Sequence, residues 1–223
     1  MLRINKPVAA GLFVSLFFTS ISSFAKEPLN LSIAKQQAVR YHDSGEYDKD
    51  IQTVANDAMR YLKIRLTRPF PKGKKPAIVL DIDETSLSNY ADMKRLDFGG
   101  TIEEIRQDED KGTDPTIKPT LNLYRFAKDN HITVIFITGR FDYERKPTEE
   151  NLHQAGFDSW EKLIMREGEY YKKPAAVYKT AMRKQLSDQG YDIVLNMGDQ
   201  KSDLAGGYSD KTFKLPNPYY LIP

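Results

Sequence analysis

Hydrophobic residues near the start of the chain recur at helical spacing. Apolar side chains at residues 51, 54, 55, 58, 62 and 66 are three or four positions apart, which forms one stripe along an α-helix. Gly45 separates this helix from a shorter one around residues 33–41. We therefore predict a pair of N-terminal helices within residues 29–66. Residues 68–76 contain three prolines, so this segment is expected to be an exposed loop.

Beyond residue 76 the pattern changes to short apolar runs separated by helical segments. The runs lie at residues 77–80, 132–137, 162–165 and 192–197, the third being the weakest. The helical patterns between them lie at residues 120–128, 147–155 and 174–189. Continuous apolar runs are typical of strands buried on both faces. Strands that alternate with helices predict an α/β fold, a Rossmann-like parallel sheet flanked by helices.

Residues 86–119 do not fit this alternation. The segment is polar and partly acidic, and Gly99, Gly100 and Gly112 interrupt it. It leaves the sheet immediately after the first predicted strand. We therefore expect a small, partly helical cap insertion that lies over the carboxyl end of that strand.

The first 25 residues have the pattern of a secretory signal peptide. A basic start with Arg3 and Lys6 precedes an apolar run at 8–18, and the small residues Ser23 and Ala25 flank Phe24. The run is shorter than the roughly 20 residues that a membrane-spanning helix needs, although an uncleaved anchor is the alternative. We predict cleavage after Ala25, one domain over residues 26–223, and a secreted or periplasmic protein with no stable membrane anchor.

Composition narrows the possible functions. The whole chain has a formal net charge of +2, and the predicted leader holds two basic residues and no acidic one, so the remainder is formally neutral. No nucleic-acid polymer is therefore expected as a partner. The absence of cysteine excludes a disulfide scaffold, a thiolate metal site, a thiol nucleophile and a lipidated cysteine anchor.

The candidate chemistry follows the predicted strands. Ligands of parallel sheets bind beyond the carboxyl ends of the strands. The residues at these positions are Asp81 and Asp83 after the first run, Thr138 after the second, and Asp199 and Asp203 after the last. Each alone is weak evidence, because aspartate often forms turns and caps. Together they predict a carboxylate cluster that needs a cation, and several hard oxygen ligands suit Mg²⁺.

The motifs themselves resemble a known family. They are Asp81-Ile82-Asp83-Glu84-Thr85, Thr138-Gly139-Arg140, Tyr178-Lys179-Thr180 and Gly198-Asp199-Gln200-Lys201-Ser202-Asp203. In this order they resemble the haloacid dehalogenase (HAD) superfamily, and most closely its secreted acid phosphatase branch, subfamily IIIB, which includes bacterial outer-membrane acid phosphatases and plant vegetative storage proteins. The resemblance covers about residues 77–216. Two features depart from it: there is no cysteine to lipidate, and Lys201 replaces the aromatic residue of the plant members.

The resemblance implies roles for four aspartates. Asp81 would be the nucleophile that forms an aspartyl phosphate, and Asp83 would protonate the leaving group and then activate water. The second role needs a raised pKa, which a neighbouring carboxylate can supply. Mg²⁺ would bind Asp81, the backbone carbonyl of Asp83, and Asp199. Asp203 would lie behind them and orient a water ligand of the metal.

The resemblance also implies phosphate ligands. Thr138 would donate a hydrogen bond to a phosphoryl oxygen, and Lys179 is the cation that matches the family motif. Lys172 and Lys173 are nearby alternatives to Lys179. Arg140 could reach the phosphate, and a surface ion pair is the other interpretation of this residue.

The expected activity is that of an exported, Mg²⁺-dependent acid phosphatase that hydrolyses small phosphomonoesters, with nucleotides among the candidates. Tyr90 and Phe98 could stack on an aromatic leaving group in the substrate pocket, and packing within the core or cap explains them equally well. Two alternatives stay open: a storage or binding protein on the same fold, and a phosphotransferase. The intact set of motif aspartates favours an enzyme over a storage protein.

Overall fold

The computed structural model describes residues 27–223. The predicted signal peptide lies outside these residues, and its cleavage stays a prediction. The eight α-helices of the described chain are α1 (Leu31–Asp43), α2 (Glu46–Leu66), α3 (Tyr90–Arg95), α4 (Ile102–Glu109), α5 (Lys118–Asp129), α6 (Arg145–Gln154), α7 (Ala175–Asp188) and α8 (Lys201–Leu204). Its five strands are β1 (Lys75–Leu80), β2 (Thr133–Phe141), β3 (Lys162–Arg166), β4 (Tyr191–Gly198) and β5 (Thr212–Lys214).

The strands form one parallel sheet in the order β3-β2-β1-β4-β5. The predicted α/β fold is therefore confirmed, and the four predicted strands all lie in this sheet. Strand β1 is central, and its last residue, Leu80, pairs with Phe136 of β2 and Met197 of β4. The carboxyl ends of these three strands consequently meet at one edge. The short fifth strand has only three residues, too few for an apolar run to reveal.

Alternate residues of β1 enter two separate cores, which explains its continuous apolar run. Ile78 and Leu80 pack in the larger core, to which α2 contributes Ile51 and Leu62. Ala77 and Val79 face the smaller core on the opposite side of the sheet, where Tyr178 and Leu186 of α7 pack. Because both faces are covered, a polar side chain has no favourable position within the strand. Polar chemistry is therefore confined to the strand ends.

The segment that follows β1 carries the two short helices α3 and α4. Helix α4 starts with a capping box, in which Thr101 and Glu104 satisfy each other's backbone amides. Helix α1 contacts this segment directly: His42 stacks on Tyr90 with ring centroids 3.4 Å apart, and Lys35 pairs with Asp97 at 2.6 Å. The N-terminal helices thus hold the insertion as well as one face of the sheet.

Within residues 27–223, none of the helices combines the length and the apolar character that a bilayer crossing requires.

Candidate active site

Three aspartates converge where β1 and β4 end. The amide of Asp81 continues the sheet by donating to Met197 O at 3.0 Å, so that Asp81 and Asp199 leave neighbouring strands side by side. Carboxylate oxygens of Asp81, Asp199 and Asp203 lie within 4.8 Å of one another, and all three residues are buried. The structure therefore brings together three of the four aspartates that the sequence predicts to cluster.

Lys179 of α7 enters the cluster from the side. Its Nζ lies 2.5 Å from Asp81 Oδ1 and 2.6 Å from Asp203 Oδ1, and the side chain is buried. Although burial alone would lower the pKa of Lys179, the carboxylates of Asp203 and Asp81 raise it above its usual value. Lys172 and Lys173 are both exposed. Of the three lysines considered from the sequence, the fold brings only Lys179 to the aspartates.

Both carboxylate oxygens of Asp203 already have partners. Oδ1 accepts from Lys179, and Oδ2 accepts from the backbone amide of Gln200 at 2.7 Å. These bonds fix Asp203 as a support for the lysine. Because both oxygens are engaged, Asp203 is less available than Asp81 and Asp199 as a direct ligand of a metal ion.

Asp199 and Asp81 each keep one oxygen with weaker contacts. Asp199 Oδ2 accepts strong hydrogen bonds from Gln200 Nε2 at 2.6 Å and Asn217 Nδ2 at 2.7 Å. Asp199 Oδ1 and Asp81 Oδ2 have only long contacts, of 3.4 and 3.5 Å, to the same Thr85 hydroxyl. These two carboxylate oxygens therefore face the same hydroxyl group and remain available to a cation.

The electrostatics of the cluster also favour a cation. Burial, together with the charges of Asp203 and its neighbours, raises the pKa of Asp81 well above its ordinary value and that of Asp199 to about 6. Lys179 bonds Asp81 and Asp203, and within the described chain it is the one cationic group with a hydrogen bond to any of these three carboxylates. Three buried carboxylates with one lysine leave an excess of negative charge, and an additional cation would relieve it.

Asp83 lies beside the cluster and is held by Arg140. The guanidinium donates through Nη2 at 2.7 Å and Nε at 3.1 Å to Asp83 Oδ1, while its other contacts are Asp114 and Thr148. Burial would raise the pKa of Asp83, but the Arg140 charge and hydrogen bonds hold it below its usual range. The expectation that a neighbouring carboxylate raises this pKa is wrong, because the arginine outweighs it.

Arg140 itself is neither on the surface nor free. It is 3% exposed, so the surface-ion-pair interpretation is wrong, and its hydrogen bonds go to side chains of the protein. Strand β2 continues through Thr138 and Arg140 to Phe141, four residues beyond the predicted end. Thr138 is fully buried, and its hydroxyl oxygen accepts a hydrogen bond from the Arg140 amide at 3.1 Å.

A cavity of about 690 Å³ opens above the aspartates. Asp81, Asp83, Lys179 and Asp199 line its base. Its apolar wall includes Met93, Phe98, Ile102, Phe141, Tyr171 and Tyr220. The cavity thus places a charged base and an aromatic wall next to each other.

Of the two aromatic residues proposed for the substrate pocket, the structure places Phe98 on the cavity wall and Tyr90 elsewhere. Tyr90 is buried against His42, and its hydroxyl donates to Asp43 at 2.7 Å. The assignment of Tyr90 to the pocket is therefore corrected to a packing role between the insertion and α1.

Sequence reasoning missed several polar side chains around the aspartates. Asn217, which holds Asp199, comes from the C-terminal tail, and Asn89 donates to Asp83 Oδ1 at 2.9 Å. Tyr47 of α2 reaches the same loop through Glu84. Asn89 lies four residues after the Asp81-Ile82-Asp83-Glu84-Thr85 motif, whereas Asn217 and Tyr47 lie in segments without a comparable pattern.

Gly198, the last residue of β4, is required by the position of Asp203. A Cβ at residue 198 would lie 2.5 Å from Asp203 Cβ and Oδ2, closer than atoms can pack. We expect Gly198→Ala to lower the free energy of unfolding by about 1–3 kcal/mol, the usual cost of overpacking, and to displace Asp203 from Lys179. Urea denaturation measures the first effect, and a fall in phosphatase activity reports the second.

Gly139→Ala is the matched control. It lies at the same edge of the sheet, and a Cβ there would meet no atom within 4 Å. Its unfolding free energy should change by less than about 0.5 kcal/mol. Equal stability of the two variants would contradict the steric argument.

Comparison with known proteins agrees with this arrangement. Residues 19–223 match the model of the family described as HAD superfamily, subfamily IIIB (acid phosphatase). The chain is 38% identical to the Stem 28 kDa glycoprotein of Glycine max over 83% of this chain and 74% of that protein. It is 35% identical to Acid phosphatase 1 of Solanum lycopersicum over 79% of this chain and 69% of that protein.

A solved structure shares the fold. The class C acid phosphatase from Bacillus anthracis superposes with a TM-score of 0.72 at 23% identity, covering 86% of both chains. The family match over nearly all of the chain, the acid phosphatase relative and the motif aspartates at one sheet edge lead to the same conclusion. The chain belongs to the subfamily IIIB acid phosphatases of the HAD superfamily and is a phosphomonoester hydrolase that acts on a small phosphorylated substrate.

Proposed function

We propose that this protein is an exported, Mg²⁺-dependent acid phosphatase that hydrolyses small phosphomonoesters through a phosphorylated Asp81. The observation that carries the proposal is the position of the Asp81 carboxylate. It lies at the base of an open cavity, 2.5 Å from the Lys179 ammonium, with Asp83 two residues away at the same sheet edge.

Asp81 supplies the nucleophile. A carboxylate oxygen of Asp81 forms a bond to phosphorus as the bond between phosphorus and the ester oxygen breaks. Lys179 lies where it can offset negative charge on the transferred group, which is spread over three oxygens in the transition state. The Thr138 hydroxyl and nearby backbone amides are the proposed hydrogen-bond donors to those oxygens.

Asp83 is the proposed general acid and general base. It donates a proton to the departing ester oxygen and then accepts one from the water that attacks phosphorus and releases Asp81. Its side chain is 18% exposed, so both the leaving group and water can reach it. Arg140 favours the charged form of Asp83, and a bound phosphate anion beside the carboxylate works in the opposite direction.

The donor set fits Mg²⁺. Carboxylate oxygens of Asp81 and Asp199, with the backbone carbonyl of Asp83, would hold the ion, and Asp203 would lie behind them. These are hard oxygen ligands, and the excess of buried negative charge described above supplies the electrostatic reason to bind a cation. When bound, the ion would neutralise charge on the phosphoryl oxygens.

Substrate size and export are further parts of the proposal. A cavity of about 690 Å³ with an aromatic wall suits an aryl or nucleoside phosphate and is consistent with a small-molecule substrate in place of a nucleic-acid polymer. The signal-peptide pattern of residues 1–25 supports export to the periplasm or medium with no stable membrane anchor.

Metal removal tests the proposal. The purified protein should release phosphate from 4-nitrophenyl phosphate between pH 4 and 8, lose at least about 90% of this activity in a chelator, and regain it when Mg²⁺ is added back in excess. Mg²⁺ should also raise the thermal midpoint of the chelated protein, because a ligand that binds only the folded state stabilises it.

Activity that survives the chelator would contradict the metal-dependent mechanism. Absence of phosphate release from any of a panel of aryl, nucleoside and sugar phosphates would favour the storage or binding alternative. A phosphorylated product in the presence of excess glycerol, formed faster than free phosphate, would instead identify a phosphotransferase.

A further inference from the structure

The loop after β1 contains a buried glutamate that the proposed reaction does not use. Glu84 is fully buried, and its φ of +52° lies in the left-handed region that a non-glycine residue rarely adopts. Burial of a carboxylate is costly unless hydrogen bonds compensate it. A residue with both costs at the centre of the aspartate loop is expected to hold that loop in shape.

Two hydrogen bonds tie Glu84 to different parts of the fold. Oε1 accepts from the Asn89 amide at 2.5 Å, which closes the loop between β1 and α3. Oε2 accepts from the Tyr47 hydroxyl at 2.9 Å, which joins the loop to α2. Glu84 therefore connects the N-terminal helices to the backbone of Asn89.

Asn89 carries the connection to the reaction centre. Its side-chain Nδ2 donates to Asp83 Oδ1 at 2.9 Å, while Arg140 holds the same carboxylate from β2. The backbone amide of Asn89 is bound by Glu84 and its side chain binds Asp83. A shift of Glu84 would consequently move one of the two supports of Asp83.

Tyr47 is itself tightly held. It is 3% exposed, and its ring contacts those of Tyr41 at 5.8 Å, His42 at 5.3 Å and Tyr219 at 5.6 Å between centroids. Aromatic packing of this kind leaves the ring little freedom. The hydroxyl is thereby fixed relative to the helices as well as to Glu84.

We propose that Tyr47 is a positioning residue for the general acid: through Glu84 and Asn89 it holds the Asp83 carboxyl in the orientation that protonates the leaving group. The inference rests on the proposed function, in which Asp83 is that acid. It gives the N-terminal helix pair a role in the reaction beyond covering the sheet.

Leaving-group dependence separates this role from a merely structural one. An alkyl phosphate has a poor leaving group that needs protonation, whereas 4-nitrophenolate departs with little help. The ratio kcat/KM reports phosphoryl transfer for both substrates. Loss of positioning should therefore affect the alkyl phosphate selectively, and a smaller fraction of folded enzyme would affect both substrates equally.

The experiment compares Tyr47→Phe with Tyr41→Phe in the Mg²⁺-loaded enzyme, using glycerol phosphate and 4-nitrophenyl phosphate. We expect Tyr47→Phe to lower kcat/KM about tenfold for glycerol phosphate and less than about twofold for 4-nitrophenyl phosphate. Tyr41→Phe is matched, because its hydroxyl also donates to a carboxylate, Asp50 at 2.6 Å, on the same helix pair. It should leave both values unchanged.

A double-mutant cycle provides the second measurement. Asn89→Ala removes the last link, so it should show the same selective loss, at least as large. Adding Tyr47→Phe to Asn89→Ala should cause little further loss, since both act through one bond to Asp83. An equal loss for the two substrates, no loss, or additive effects would overturn the inference.

Asp83→Asn distinguishes failure of the inference from failure of the proposed function. If Asp83→Asn shows no selective loss for glycerol phosphate, Asp83 is not the general acid. The acid role in the proposed function and the positioning role of Tyr47 are then both wrong. If Asp83→Asn is selective and Tyr47→Phe is not, only the positioning role is wrong.

Discussion

Replacing Asp81 with asparagine is expected to lower kcat by at least about 10³-fold while leaving the protein folded. Loss of a covalent nucleophile removes the reaction path itself, and effects of this size are usual for such groups. The amide keeps nearly the same shape and can still accept from Lys179 Nζ, which lies 2.5 Å from Asp81 Oδ1. Steady-state phosphate release measures the rate, and acid quenching with labelled substrate should trap phosphoprotein only in the wild type.

The same substitution should not reduce the stability of the metal-free protein. Burial and the neighbouring carboxylates raise the pKa of Asp81, so its charged form is disfavoured in the fold. Asparagine removes that charge. The thermal midpoint in chelator should therefore equal or exceed that of the wild type, as is common where a catalytic site stores unfavourable charge.

Asp188→Asn is the control for this experiment. Asp188 lies on α7, pairs with Lys184 and is 63% exposed. It should retain full activity. Substantial activity in Asp81→Asn, or labelled phosphoprotein in that variant, would rule out Asp81 as the nucleophile.

The sequence revealed the sheet and the aspartates for one physical reason. A strand covered on both faces must be apolar, so the runs at 77–80, 132–137 and 192–197 mark the buried strands. The first polar residues after the first and last of these runs, Asp81 and Asp199, follow the ends of β1 and β4 directly. Parallel strands bring those ends to one edge. The convergence of Asp81, Asp199 and Asp203 follows from pattern and topology together.

The remaining features depend on tertiary contacts that no local pattern records. Tyr90 is aromatic and adjacent to the motif, but its position is set by stacking on His42 from a distant helix. The pKa of Asp83 depends on Arg140. The sequence is equally consistent with an Arg140 guanidinium that points to solvent, and only the path of β2 directs it to Asp83. Asn217 reaches Asp199 only because the tail returns across the sheet edge.

Replacing Lys179 with methionine is expected to impair both stability and activity. The lysine lies between two buried carboxylates, 2.5 Å from Asp81 Oδ1 and 2.6 Å from Asp203 Oδ1. Removing one partner of a buried ion pair costs about 3–5 kcal/mol, because the remaining charge is left uncompensated. Urea denaturation should show a loss of this order in chelator, and kcat should fall by at least about 10²-fold because charge on the phosphoryl group is no longer offset.

The loss in unfolding free energy of Lys179→Met should be smaller when Mg²⁺ is added, since a bound cation compensates the carboxylates that have lost the lysine.

Lys184→Met is the matched control on the same helix. Its partner Asp188 is exposed, and a surface pair of this kind contributes at most about 1 kcal/mol. If Lys179→Met were as stable and as active as Lys184→Met, the lysine would neither balance the aspartate cluster nor assist phosphoryl transfer. If Lys179→Met were as stable as Lys184→Met but inactive, the lysine would assist phosphoryl transfer without stabilising the fold. The aspartates could then lower their mutual repulsion by sharing a proton. The transferred phosphoryl group has no such alternative source of charge compensation.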